Sequence, residues 1–168
     1  MSGGKEFEFT ASFESAGQVF RVRPVEAMDI EVLRIWKNTH RAVFFHKDII
    51  SPEQQAAWFE AFSARTNEQI FVLEHGQRLV ACIGFRTLEE GVVEMFNLIL
   101  GAEDYRGRGA LMSTFYLNLE YGLVQRGVDR IELRVLPDNE RAISFYRRNG
   151  YRVVQENDRF LLMDKRIR

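Results

Sequence analysis

Phe7, Phe9, Ala11 and Phe13 alternate with Glu6, Glu8, Thr10, Ser12 and Glu14. That two-residue period predicts a strand with one buried face. Ser15-Ala16-Gly17-Gln18 supplies turn residues, and Val19 to Pro24 reads as the returning strand of a hairpin. From Asp29 to His40 the period lengthens: Ile30, Leu33 and Trp36 recur at helical spacing. A second helix carries its own punctuation, with Ser51 as N-cap, Pro52 at the first helical position and Gln54 placed for a capping box. Trp58, Phe59 and Phe62 then fall on one of its faces.

Two apolar runs joined at His75-Gly76-Gln77, and a third after Glu89-Glu90-Gly91, predict three further strands. Glu103 to Tyr116 leads into a long helix that reaches about Gln125 and is closed by Gly127. Arg130 to Leu136 reads as a strand stopped by Pro137, and Asn139 to Gly150 as a short helix. Tyr151 to Glu156 and Arg159 to Lys165 make a final pair of strands. No linker, repeat or low-complexity segment interrupts this order. One α/β domain over residues 1–168 is expected, with a mixed, mostly antiparallel sheet flanked by helices. Residues 1–19 would form an N-terminal extension, in hairpin with the first core strand. Its phenylalanine face could cover the sheet or pair with a second copy of the chain, which leaves a homodimer open.

With 23 Lys and Arg against 24 Asp and Glu, the net charge of −1 provides no overall basic field for nucleic acid or an anionic membrane. Any positive site must be local. Cys82, the only cysteine, lies in an apolar run and reads as a small buried hydrophobe rather than a nucleophile. Met1 to Phe9 lacks the apolar core of a signal peptide, and no segment approaches the ~20 apolar residues of a membrane span. A cytoplasmic protein without a metal cofactor is expected.

Local chemistry concentrates at Glu103-Asp104-Tyr105-Arg106-Gly107-Arg108-Gly109-Ala110-Leu111. Glycines between a strand and a helix let the backbone approach a ligand closely. The first helical turn adds unsatisfied N–H groups and a positive dipole end, a combination suited to phosphate. Arg106 and Arg108 add charge. The pattern matches neither a Walker loop nor the G-x-G-x-x-G dinucleotide fingerprint.

A second pattern, N-x-x-A-x-x-F-Y-x-x-x-G-Y, is formed by Asn139, Ala142, Phe145, Tyr146, Gly150 and Tyr151. Together the two resemble the GNAT superfamily of acyl-CoA-dependent N-acyltransferases, whose Q/R-x-x-G-x-G/A signature reads here Arg106-Gly107-Arg108-Gly109-Ala110-Leu111. Leu111 departs from the Gly or Ala of the sixth position. The resemblance runs from about Phe20 to Asp164. It implies acetyl-CoA as co-substrate, with its pyrophosphate at a helix beginning near Gly107 and held by Arg106, Gly107, Arg108, Gly109, Ala110 and Leu111. It also implies an acyl arm lying between two strands that splay apart, against the main chain of Ile99, Leu100 and Gly101. A peptide N–H there would stabilise the oxyanion formed when an amine attacks the thioester.

By the same resemblance Tyr146 is the general acid that protonates the departing thiolate, and Asn139 contacts the coenzyme, a helix N-cap being its other reading. The attacking nitrogen must lose a proton, and Glu94 is the candidate base, with His46 as rival and His75 less attractive. Strict alternation puts Glu94, Phe96 and Leu98 on one face and Asn97 on the other, unless a bulge intervenes.

Trp36, Asn38, Arg41, Phe45, Ile50, Ser51 and Trp58-Phe59 resemble the GNAT branch that acetylates nucleotide-linked deoxyamino sugars in pseudaminic-acid-type pathways. Trp36, Arg41 and His46 would then bind the sugar nucleotide, while Trp58 and Phe59 have a structural reading too. Three alternatives stay open: acetylation of a protein N-terminus, acetylation of an antibiotic amine, and a non-catalytic acyl-CoA-binding module.

Overall fold

The computed structural model describes residues 5–108 and 110–168. Among them, one sheet is built from β1 Ala11–Ser15, β2 Gln18–Pro24, β3 Glu68–His75, β4 Arg78–Glu89, β5 Val92–Leu100, β6 Arg130–Val135, β7 Arg152–Glu156 and β8 Leu161–Arg166. Its spatial order is β1-β2-β3-β4-β5-β6-β8-β7, antiparallel except for the parallel pair β5 and β6. The helices are α1 Ile30–Thr39, α2 Pro52–Ala64, α3 Leu111–Val124 and α4 Glu140–Arg148. The mixed, mostly antiparallel architecture and the N-terminal hairpin are those expected from the chain's periodicities.

Each face of the sheet has its own core. Phe71, Ile83, Phe85, Met95, Ile131 and Leu133 pack with Leu111, Phe115, Leu119 and Leu123 of α3 and with Ile143 and Tyr146 of α4. On the opposite face Ile70, Val72, Cys82 and Ile99 pack with Leu33 and Trp36 of α1 and Phe62 of α2. Burial of a side chain the size of Phe62 is worth roughly 1.5–3 kcal/mol. α2 starts where the sequence predicts: Gln54 N donates to Ser51 Oγ at 3.1 Å, and Ser51 N donates to Gln54 Oε1 at 2.8 Å. Such a cap contributes about 1 kcal/mol.

The phenylalanine face of the hairpin covers this chain's own sheet. Phe9 lies 4.5 Å from Phe71 between ring centroids and presses on Gly122 of α3, where a Cβ would sit 2.3 Å from its ring.

Arg23 anchors α1. Its guanidinium, buried at 8% exposure, forks onto Asp29 at 2.7 and 3.0 Å and donates a third bond to Glu74 at 3.1 Å. Asp29 also accepts from Glu26 N at 2.7 Å. Asp29 immediately precedes α1, so this cluster fixes where the helix leaves the β2 and β3 edge. The Asp29 hydrogen bonds are the main reason the Arg23 guanidinium is held well above its ordinary value.

Two features break the regularity of β5. Its ladder with β6 runs from Val92 and Arg130 to Met95 and Leu133 and then stops, so the strands part beyond that point. The second is a bulge: Cys82 pairs with Ile99 and Gly84 with Phe96, so Ile83 faces both Asn97 and Leu98, and Asn97 takes φ +51. Asn is among the residues that tolerate this left-handed conformation best. Strict alternation therefore fails beyond Phe96. Phe96 packs against the α1 and α2 cluster, whereas Leu98 packs into the α3 and α4 core.

Candidate active site

A cavity of about 620 Å³ opens where β5 and β6 separate. Leu98, Ile99 and Leu100 form its sheet wall, Arg106, Gly107, Arg108 and Leu111 one end, and Asn139, Ala142, Phe145 and Tyr146 of the α4 region the other. His40, Val43 and Phe44, which follow α1, close it from the opposite face. The two sequence patterns, distant along the chain, thus share one cavity.

Gly107 sits at φ +74 with open space around a notional Cβ, so the turn demands its conformational freedom rather than its small size. For the same reason the helix does not begin near Gly107. It begins at Leu111, after Leu111 N has donated to Arg108 O at 3.0 Å. Leu111, the departure from the signature, is 2% exposed and packs in the main core, so its bulk is absorbed by the fold. Arg106 is exposed and paired with Glu103 at 2.8 Å; Arg108 bonds Gln18 and stacks over Tyr105 at 4.2 Å. Gly109 lies outside the described residues. Ala110 precedes α3 without lining the cavity.

Asn139 caps α4, its Oδ1 accepting from Ala142 N at 3.2 Å, and it also lines the cavity. Tyr146 is 9% exposed, its ring 5.8 Å from Tyr151. Burial pushes its phenol well above the ordinary value, so it stays protonated across the physiological range. Three basic groups on the rim carry no mark in the two sequence patterns. Arg141 and Arg148 share a face of α4 with Phe145, a spacing that could have revealed them, while His40 comes from across the sheet. Burial first, and then the charge of Arg106, hold His40 below its usual value.

A second cavity, of about 420 Å³, adjoins the first at Ile99, which lines both. Leu33, Ile50, Trp58 and Ile70 give it apolar walls, and Lys37, His46, Gln54, Gln55, Cys82 and Asn97 its polar atoms. Lys37 Nζ donates to Asn97 Oδ1 at 2.5 Å and stands 3.6 Å above the Phe44 ring, placing it between the two cavities. Burial lowers Lys37 to about 8. Burial also pushes the Cys82 thiol up to about 12, so it is not a nucleophile at neutral pH.

Of the acceptor-binding candidates, His46 lines this cavity. Trp36 is core, seated against Gly101, and Arg41 is exposed and donates to Asn38 O at 3.0 Å. Gly101 faces Trp36 rather than the coenzyme-sized cavity. Glu94 lines neither cavity: Arg86 and Arg134 each donate to one of its oxygens at 3.2 Å. His75 lines neither cavity and bonds the hydroxyl of Tyr105, a residue on the wall of the first, at 2.8 Å. A third concavity, of about 1270 Å³, is an open groove lined in part by charges that pair with one another, such as Arg23 with Asp29 and Arg78 with Asp104. Among the described residues, neither the Arg106 to Leu111 signature nor the Asn139 to Tyr151 pattern contributes to it, and the two meet instead at the cavity of about 620 Å³.

Among the described residues no group of three or more His, Cys, Asp or Glu could hold a metal ion, and no helix is long and apolar enough to cross a membrane. The sequence pattern of the Acetyltransferase (GNAT) family matches residues 31–151. No curated protein matches in sequence. Among solved structures, spermidine N-acetyltransferase from Vibrio cholerae, in complex with CoA and spermine, superposes with a TM-score of 0.74 at 18% identity, covering 88% of this chain and 95% of that one. The GNAT domain of S. lividans PAT gives 0.75 at 17% identity, covering 94% and 96%. PaiA N-acetyltransferase from Thermoplasma acidophilum, in complex with coenzyme A, gives 0.66 at 19% identity, covering 88% and 98%. The chain belongs to the acetyltransferase (GNAT) family.

Proposed function

We propose that the protein acetylates a small-molecule primary amine, with the coenzyme in the cavity between β5 and β6 and the acceptor in the cavity beside it. One observation carries this reading: the ladder ends at Met95 and Leu133, and the cavity opening there is lined by both Tyr146 and the Arg106 to Arg108 turn. Bound acetyl-CoA supplies an acyl group activated as a thioester. Arg106, Gly107, Arg108 and Leu111, with the N-terminal peptides of α3, hold its pyrophosphate, Asn139, Arg141 and Arg148 flank them, and Ala110 enters through the signature alone. Gly109 belongs to the same proposal through the signature alone. Peptide groups of β5 at Ile99 and Leu100, past the end of the β6 ladder, serve the acyl arm and the developing oxyanion.

Tyr146 donates a proton to the leaving sulfur. Its buried phenol is protonated at neutral pH and faces the cavity, as a positioned general acid must. Of the candidate bases, His46 lines the acceptor cavity and receives the amine's proton. Glu94, with both oxygens engaged by arginines, bridges β4, β5 and β6. For the acceptor, a nucleotide-linked amino sugar draws support from Trp58 and His46 on the cavity wall, Trp58 offering a stacking face. Arg41 and Trp36 give it none.

The test is incubation with acetyl-CoA and a panel of amines that includes nucleotide-linked amino sugars, following free thiol and product mass. Stoichiometric thiol and an acetylated amine are expected. Coenzyme binding without turnover across a broad panel would instead identify a non-catalytic module.

A further inference from the structure

The acceptor cavity contains a cation, Lys37, that faces it without a carboxylate partner. Several partly buried cations are met by carboxylates, Arg23 by Asp29 and Glu74, Arg86 by Glu68 and Glu94, Lys165 by Glu120, and Lys5 is met by the carbonyls of Phe62 and Arg65. Lys37 is met by the neutral amide oxygen of Asn97 and the face of Phe44. Among the described residues no carboxylate lines the cavity, and the Coulombic influence on Lys37 comes from Cys82, whose raised thiol stays neutral and brings no charge. His46 is the remaining titratable group on the lining.

A charge taken out of water costs several kcal/mol unless an opposite charge and hydrogen bonds offset it. An ammonium has three N–H donors, and Asn97 occupies one. Lys37 is still largely charged at neutral pH, since burial lowers it only to about 8. The incoming amine is itself cationic in water, and an acceptor bringing cations alone would meet repulsion with no acid on the lining to relieve it.

From this geometry we infer that the acceptor carries an anionic group, a carboxylate or a phosphate, which binds Lys37 while its apolar body rests on Leu33, Ile50, Trp58 and Ile70. The inference rests on the reading of this cavity as the acceptor site. It excludes linear polyamines as preferred substrates, because their additional ammonium groups would face Lys37 within an apolar wall.

Phenylacetate and phenyl phosphate, titrated calorimetrically into the coenzyme A-saturated protein, probe the site directly. At least one should bind the wild type about tenfold to a hundredfold more tightly than Lys37→Met, the loss expected for one charge-assisted hydrogen bond. The arm that responds tells carboxylate from phosphate. Thiol release should agree, with phenylalanine preferred over phenylalaninamide or O-phosphoethanolamine over ethanolamine. Lys37→Arg, which retains the charge, should keep anion binding and so exclude a folding defect. Equal binding of both anions by wild type and Lys37→Met, or faster turnover of spermidine than of either anionic amine, overturns the inference. Failure of the acetyltransferase reading looks different: coenzyme A would bind both proteins, and neither would release thiol from acetyl-CoA with any amine of the panel.

Discussion

A Cβ built on Gly101 would lie 1.9 Å from Cε2 of Trp36, so the indole rests directly on the glycine's α-carbon. Gly101 also turns the chain off β5, its N–H and that of Ala102 both donating to Val80 O at 3.0 and 3.1 Å. Gly101→Ala must push the indole or the corner aside. We expect a loss of about 1–3 kcal/mol, the usual cost of overpacking a filled core. Because Ile99 and Leu100 line the cavity proposed for the coenzyme, affinity for coenzyme A should fall as well. Urea denaturation and coenzyme titration check both, and an unchanged midpoint would show that the indole moves freely.

Tyr146→Phe removes one oxygen and leaves the ring against Tyr151 and Phe145. Turnover should drop by about 10²–10⁴, the range for a lost general acid, while coenzyme affinity and thermal midpoint stay close to wild type. Steady-state kinetics beside a coenzyme titration separate the two effects. An unchanged kcat would remove the acid role from Tyr146.

The elements were legible because local signals agreed with the global packing. Ser51, Pro52 and Gln54 bound α2 as their spacing predicts, and the period of Phe9 to Phe13 faces the core. What escaped depends on contacts between distant residues. Asn97 at φ +51 has no sequence marker within Val92–Leu100, yet it redirects every side chain after Phe96. Glu94 reads as a free strand carboxylate until β6 brings Arg134 beside it. Trp36 falls on a helical apolar stripe, and only the fold shows Gly101 beneath it. Lys37 looks like a solvated helix residue until its partner, sixty positions along the chain, turns inward at the bulge.

Arg106 is exposed and touches Glu103, so its charge is available for a phosphate without a core to disturb. Arg106→Glu places two carboxylates together at the mouth of the cavity. Coenzyme affinity should fall about tenfold to a hundredfold with the melting temperature little changed. Arg141→Ala and Arg148→Ala, on the α4 rim, should each produce a smaller loss. In the wild type, raising salt should weaken binding, and less steeply in each variant. Calorimetry at two ionic strengths checks this, and an affinity insensitive to Arg106 contradicts the phosphate assignment.

Lys37 makes the stability of the protein depend on pH in a definite direction. Its folded value is about 8 and its ordinary value 10.5. Below the lower value both states carry the proton, and the folded state bears the full cost of the buried ammonium. Between the two values the unfolded chain binds a proton that the folded protein does not, so stability rises with pH; above the upper value the contribution is constant. Lys37→Met keeps the apolar stem and removes the charge. Its denaturation midpoint should exceed that of wild type at neutral pH, and the gap should narrow as the pH approaches 10. Groups common to both proteins cancel in the difference. A gap that stays constant, or a variant less stable than wild type at neutral pH, would mean that Asn97 and Phe44 alone satisfy the ammonium.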